Sequence, residues 1–160
     1  MIFIFDLDLT IWETYDRHNR SIWAKQFIPP YLIEKNVITN DVYGKCILKP
    51  GIKKYLKHLS ENNHKIGFIS NGRCYGLPDE HQPSLCLLKL FDIYKYFNYL
   101  KFLRYRDYDK TEAIKNIKNK IVFYDDNQQI LEALSDHEHI IPVDAKSIVD
   151  WSNLIGKDYD

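Results

Sequence analysis

The sequence has too few cysteines for a disulfide framework and none in a zinc-binding pattern. Cys46, Cys74 and Cys86 are odd in number and irregular in spacing, so a reducing, cytoplasmic setting is expected. Net charge is missing as well, because 22 Lys and Arg balance 22 Asp and Glu. A neutral chain excludes capture of nucleic acid or an anionic membrane by bulk electrostatics and leaves only local basic patches for such work. No apolar run approaches the ~20 residues that cross a bilayer, so no membrane partner is expected. The opening Met1–Phe5 is apolar but short and has no basic flank, unlike a signal peptide. Repeats, low-complexity tracts and interdomain linkers are also absent. What remains is 160 residues, 45% hydrophobic and 28% charged, enough for one domain with its own core.

Short apolar runs alternate with helix-like stretches. Strands are expected at Ile2–Phe5, Lys65–Ile69, Tyr99–Leu103, Ile121–Tyr124 and His139–Val143. Helices are expected over Gly51–Asn62, with Ile52, Tyr55, Leu56 and Leu59 on one face, then over Ser84–Leu90, Gln129–Leu134 and Ser147–Leu154. Another is expected from Asp109 to Ile117, where Asp109 and Glu112 have the spacing of a capping box. Continuous apolar strands joined by helices imply a parallel sheet covered on both faces. The expected fold is therefore α/β: a Rossmann-like three-layer sandwich around a central, mostly parallel five-stranded sheet, one domain over 1–160. Residues 13–49 fit this scheme poorly. Pro29-Pro30 interrupts them, and Tyr15, Trp23, Phe27, Tyr31 and Tyr43 are scattered. They are expected to form an insertion folded over the site as a flap, or minimal cap, of no predictable conformation.

In parallel α/β sheets ligands bind beyond the carboxyl ends of the strands. Three of the expected strands end in chemically capable residues: Asp6 and Asp8, Ser70 and Asn71, and Asp125 and Asp126. Lys110 lies near a helix start between the second and third of these. Four convergent carboxylates are costly unless a cation offsets them, and an all-oxygen set suits Mg²⁺. Lys110, the Ser70 hydroxyl and the backbone amides of Asn71 and Gly72 would then cradle a phosphoryl group. Asp6 is placed to attack phosphorus, and Asp8 to protonate the leaving oxygen and then activate water. Thr10 is a candidate to orient Asp8. Taken singly these residues have plainer readings: Ser70-Asn71-Gly72 as a turn, Asp125-Asp126 as a helix cap, Lys110 as a solvated side chain. Arg73, Tyr75 and His81, and in the insertion Arg17, His18, Arg20 and Trp23, are further candidates for substrate contact.

Ile2-Phe3-Ile4-Phe5-Asp6-Leu7-Asp8-Leu9-Thr10 resembles the first motif of the haloacid dehalogenase superfamily, a hydrophobic strand followed by D-x-D-x-T. Ile69-Ser70-Asn71-Gly72 resembles its second motif, Lys110 its third and Phe123-Tyr124-Asp125-Asp126 its fourth, in order across nearly the whole chain. Phe5-Asp6-Leu7-Asp8-Leu9-Thr10-Ile11-Trp12, Pro50-Gly51-Ile52 and Leu90-Phe91-Asp92-Ile93-Tyr94-Lys95-Tyr96-Phe97 are similar to the small magnesium-dependent acid phosphatases within it. Two positions depart from that type: Asn71 replaces the usual Arg, with Arg73 nearby, and Ile130 replaces a usual Asn or Asp.

The resemblance implies a Mg²⁺-dependent phosphatase working through an aspartyl-phosphate on Asp6. It implies metal ligation by Asp6, the backbone carbonyl of Asp8, and Asp126, with Asp125 holding Lys110 or a metal-bound water. A small flap implies an open site for a bulky phosphorylated substrate: a small molecule, a phosphoprotein or a nucleic-acid end. Two other readings stand beside it. A receiver-like signalling module phosphorylated on Asp shares these residue types, although here the D-x-D comes first and the adjacent pair late. A catalytically silent phosphate-binding protein is the third.

Overall fold

In the computed structural model, which describes residues 1–40 and 44–159, the chain builds two sheets from ten strands. It starts with β1 (Ile2–Phe5). Then come the five strands of the insertion: β2 (Trp12–Tyr15), β3 (Ser21–Ile22), β4 (Leu32–Glu34), β5 (Val37–Asn40) and β6 (Gly44–Leu48). The remaining order is α1 (Ile52–Glu61), β7 (Lys65–Ser70), α2 (Pro83–Leu90), β8 (Lys101–Leu103), β9 (Ile121–Asp125), α3 (Gln128–Ser135) and β10 (Ile140–Asp144). Strands β10-β9-β1-β7-β8 form an all-parallel sheet, so the α/β sandwich expected from the sequence is the observed fold. The chain moves from β1 outward through β7 and β8, then returns to the other side of β1 for β9 and β10. That reversal opens a crevice at the carboxyl end of β1.

The continuous apolar strands follow from burial on both faces. In β1, Phe3 and Phe5 enter one hydrophobic cluster, while Ile2 and Ile4 enter another on the opposite face. In β9, Val122 and Tyr124 join the first, and Ile121 and Phe123 the second. Helix α1 covers the first face with Ile52, Tyr55, Leu56 and Leu59, the stripe its periodicity indicated. Leu134 of α3 covers the second. Gly67 interrupts the apolar run of β7 for a steric reason: a Cβ there would stand 2.7 Å from the Leu100 carbonyl oxygen. Gly67→Ala is expected to destabilise the protein by about 1–3 kcal/mol through overpacking, measured by urea denaturation.

The insertion is a second, antiparallel sheet of order β3-β2-β6-β5-β4, more structure than a flap. It leaves the parallel sheet as β2 and returns as β6, and those strands pair from Trp12↔Leu48 to Tyr15↔Lys45. Its inner residues Trp12, Phe27, Ile38, Cys46 and Leu48 belong to the first hydrophobic cluster, so it packs on the same core as α1. Tyr43 lies outside the described residues.

Two expected helices are not formed. From Asp109 the chain makes only a short 3₁₀ turn, Lys110–Ala113. Asp109 caps it by accepting from the Thr111 amide and hydroxyl, while Glu112 pairs with Lys115 instead of closing a capping box. The following Ile-Lys-Asn-Ile stretch has weak helix formers and continues as turns. The segment 147–154 is split into two 3₁₀ turns, Ala145–Ser147 and Trp151–Leu154. Asp150 caps the second by accepting from the amide and hydroxyl of Ser152, and that local bonding ends any continuous helix. Among the described residues no helix is long and apolar enough to cross a membrane.

Candidate active site

The ladder between β1 and β9 sets the centre of the site. It runs one step past Phe5, where the Asp6 amide donates to the Tyr124 carbonyl at 2.8 Å. Asp6 therefore emerges beside Asp125, which ends β9. Lys110 stands between them, its Nζ 2.7 Å from Asp6 Oδ1 and 2.6 Å from Asp125 Oδ2. Only 4% of the Lys110 side chain is exposed, so this cation is held by the two carboxylates and not by solvent. Asp125 uses its other oxygen to accept from the Asn127 amide at 2.9 Å. Asp126, just past the strand, is half-buried, and its only ion pair among the described residues is a 3.6 Å contact with the exposed Lys146.

Beyond Asp6 the chain turns sharply. Ile11 donates back to the Leu7 carbonyl at 2.8 Å, and Leu9 sits at a positive φ of 62°. This turn, and not strand alternation, brings Asp8 to the cleft. Among the described residues Asp8 is held through Oδ1, which accepts from the Trp12 indole at 2.9 Å and from the Ala24 amide at 3.0 Å. Thr10 does not orient it: its hydroxyl is buried and has no hydrogen-bond partner among the described residues. The insertion thus supplies the backbone donor that the sequence did not reveal. The signal for the other donor was the aromatic residue four positions after Asp8.

At the end of β7, Ser70 is buried and lines the cleft. The side chain of Asn71 braces a neighbouring loop by donating to the carbonyls of Arg106 at 3.1 Å and Tyr108 at 3.0 Å. At Gly72 a Cβ would lie 3.2 Å from Ser84 Oγ, a tight contact, and 3.4 Å from Asp8 Oδ2, an ordinary one. That proximity also shows that the second oxygen of Asp8 points toward the Ser70–Gly72 turn. Arg73 does not line the cleft. It pairs with Asp79 at 2.8 Å and lies over the Tyr105 ring. Arg17, His18, Arg20, Tyr75 and His81 are likewise outside the cleft lining, whereas Trp23 is part of it.

The cleft measures about 530 Å³. Its floor is Asp6, Asp8, Asp125, Asp126 and Lys110, and its walls include Lys25 and Gln26 of the insertion, Arg106, Asn127 and Ile130. Lys25, Gln26, Arg106 and Asn127 carry no motif signal; only folding brings them here.

Neither a protein-family model nor a curated protein matches the chain. What the cleft can do is therefore read from its own atoms. Burial, reinforced by Asp125 and Asp8, pushes the Asp6 carboxyl up to about 8 despite the opposing pull of Lys110. Burial also raises Asp8, against its two hydrogen bonds, and raises Asp126 together with the neighbouring Asp125. Burial alone would lower Lys110, but Asp6 and Asp125 outweigh it and hold the ammonium above its ordinary value.

Oxygens of Asp6, Asp125 and Asp126 lie within 4.8 Å of one another, so these carboxylates could hold a hard divalent cation. Because both oxygens of Asp125 are engaged, Asp6 and Asp126 are the members with an oxygen to spare.

The raised carboxylates fix the sign of a pH effect. In EDTA the folded chain keeps a proton on Asp6 that the unfolded chain has released, so stability falls as pH rises toward about 8. Asp8 and Asp126 act in the same direction. His64, lowered by burial, acts oppositely, but only below its ordinary value of 6.5. Urea denaturation in EDTA is expected to give a falling midpoint between pH 6.5 and 8, and Mg²⁺ to flatten that fall.

Proposed function

We propose that this protein hydrolyses phosphomonoesters, with Asp6 as covalent nucleophile and Asp8 as acid, then base. One observation carries the reading. Two buried aspartates at the end of the central strand are held in different ways: Asp6 by the cation of Lys110, and Asp8 through one oxygen by neutral donors. Lys110 pulls the Asp6 carboxyl down against burial and so favours the ionised form that attacks, and a bound cation would favour the same form. A buried carboxyl with raised pKa keeps a proton to give. The resemblance to haloacid dehalogenase superfamily phosphatases in four motifs points the same way.

In the first step a carboxylate oxygen of Asp6 attacks phosphorus. The ester P–O bond breaks, and Asp8 gives its proton to the leaving oxygen. In the second, Asp8 takes a proton from water as the water oxygen attacks phosphorus, releasing inorganic phosphate and the Asp6 carboxylate. Lys110 has a third N–H, beyond the two spent on Asp6 and Asp125, for a phosphoryl oxygen. The Ser70 hydroxyl and the amides of Asn71 and Gly72 supply further donors. Mg²⁺, held by Asp6, Asp126 and the Asp8 carbonyl, would offset the crowded negative charge of carboxylates and phosphate. The test is phosphate release from a broad phosphomonoester panel with Mg²⁺ and with EDTA. Turnover that requires Mg²⁺ supports the reading; turnover unaffected by EDTA would sink its metal.

A further inference from the structure

We infer that the phosphate removed here lies at the end of a single-stranded nucleic acid. This rests on the phosphatase reading and names its substrate class. Two exposed aromatic features flank the cleft. Trp23, in its wall, is 52% exposed, while Trp12 and Trp151 are fully buried. Tyr75, 79% exposed, and Tyr105, 41% exposed, stack face to face with centroids 4.2 Å apart and planes 8° apart. The Tyr pair is tied to the cleft wall. The Arg73 amide donates to the Arg104 carbonyl at 3.0 Å, and Asn71, which lines the cleft, donates to the carbonyl of Arg106, next to Tyr105.

Charge follows the same track. The floor is acidic, yet Lys25 and Arg106, which line it, have no acidic partner among the described residues, and neither has Arg104 on the same loop, whose guanidinium lies over the Phe102 and Tyr108 rings. Of the two acids on the same loop, Asp109 is spent on its cap and Asp107 is exposed. The chain as a whole is neutral, so this positive margin is local. A small phosphomonoester would have no use for it, and a phosphotyrosine peptide would fill one ring slot and leave the cations idle. A strand uses both: bases stack on exposed rings, and the phosphates behind the terminal one meet the margin. The chemistry is unchanged. The bond from phosphorus to the terminal sugar oxygen breaks, and that oxygen leaves as a hydroxyl with the proton of Asp8.

The test compares kcat/KM with Mg²⁺ for oligothymidylate phosphorylated at its 3′ or its 5′ end, thymidine monophosphate, a phosphotyrosine peptide and a sugar phosphate. One oligonucleotide is expected to exceed the mononucleotide at least tenfold, and the preferred end identifies the polarity. Tyr75→Ala and Tyr105→Ala are expected to lower the oligonucleotide value by about 5- to 100-fold, and the mononucleotide value much less. Unphosphorylated oligothymidylate is expected to bind Asp6→Asn and quench the Trp23 fluorescence, a signal absent from Trp23→Phe. Turnover with no oligonucleotide preference, or preference for the peptide, overturns this inference and leaves the phosphatase reading standing. Strand binding with quenching but no phosphate release from any substrate overturns that reading and supports the nucleic-acid face. Neither binding nor preference overturns the inference outright.

Discussion

Asp6→Asn is expected to abolish Mg²⁺-dependent phosphate release, by about three orders of magnitude or more, while the fold survives. Loss of a covalent nucleophile costs rate on that scale because the surrounding groups act as a unit with it. The amide is nearly isosteric with the carboxylate and cannot form the phospho-intermediate. Stability should move little. Burial already disfavours the Asp6 charge, pushing its carboxyl up to about 8, so removing that charge relieves desolvation. Lys110 loses one partner but keeps Asp125 at 2.6 Å. Melting temperature and single-turnover phosphate release, measured on the same preparation, separate these effects. Turnover surviving in Asp6→Asn overturns the mechanism. Asp8→Asn completes the test: with a good leaving group the first step proceeds and the second stalls, trapping phospho-Asp6. A phosphoprotein that persists in the unmodified chain would instead favour a receiver-like module.

The parallel sheet was legible because its strands are buried on both faces. Ile2–Phe5 and Ile121–Tyr124 read as unbroken apolar runs, and the abrupt change to Asp6 and Asp125 marked where the chain meets the cleft. The antiparallel sheet was not legible. Its strands are two to five residues long, and β4 is exposed throughout, so alternation had little length in which to show. The helices expected at 109–117 and 147–154 fail for a shared reason: aspartates 109, 144 and 150 cap single turns through their own side chains. In the site, residue types and strand ends gave the acidic floor. Partners decided by tertiary contact stayed hidden. The indole and the Ala24 amide, not Thr10, hold Asp8; Asn71 braces a loop through its side chain; and Arg73 faces Asp79. Each depends on where the insertion or the 104–108 loop lies, and no local pattern encodes that.

Lys110→Met is expected to destabilise the protein by about 3–5 kcal/mol near pH 8, because it leaves Asp6 and Asp125 buried together without their cation. Methionine fits the space of the aliphatic stem, so the cost is electrostatic and not a cavity. The folded chain then pays by holding a proton on the carboxylate pair, which couples stability to pH in a known direction. A carboxyl raised in the folded state favours folding at low pH and loses that advantage as pH climbs. The deficit of Lys110→Met relative to the parent should therefore be small at pH 5 and grow toward pH 8. Mg²⁺ bound by the folded chain alone adds about 2.7 kcal/mol at a hundredfold excess over Kd, and so should recover part of the loss. Pairing the change with Asp6→Asn removes one of the stranded charges and should recover stability without Mg²⁺. Urea denaturation at pH 5 and pH 8, with Mg²⁺ and with EDTA, reads all of these. A variant as stable as the parent at pH 8 in EDTA would mean that Lys110 does not neutralise the buried pair, and the reactivity proposed for Asp6 would need another source of positive charge in the cleft.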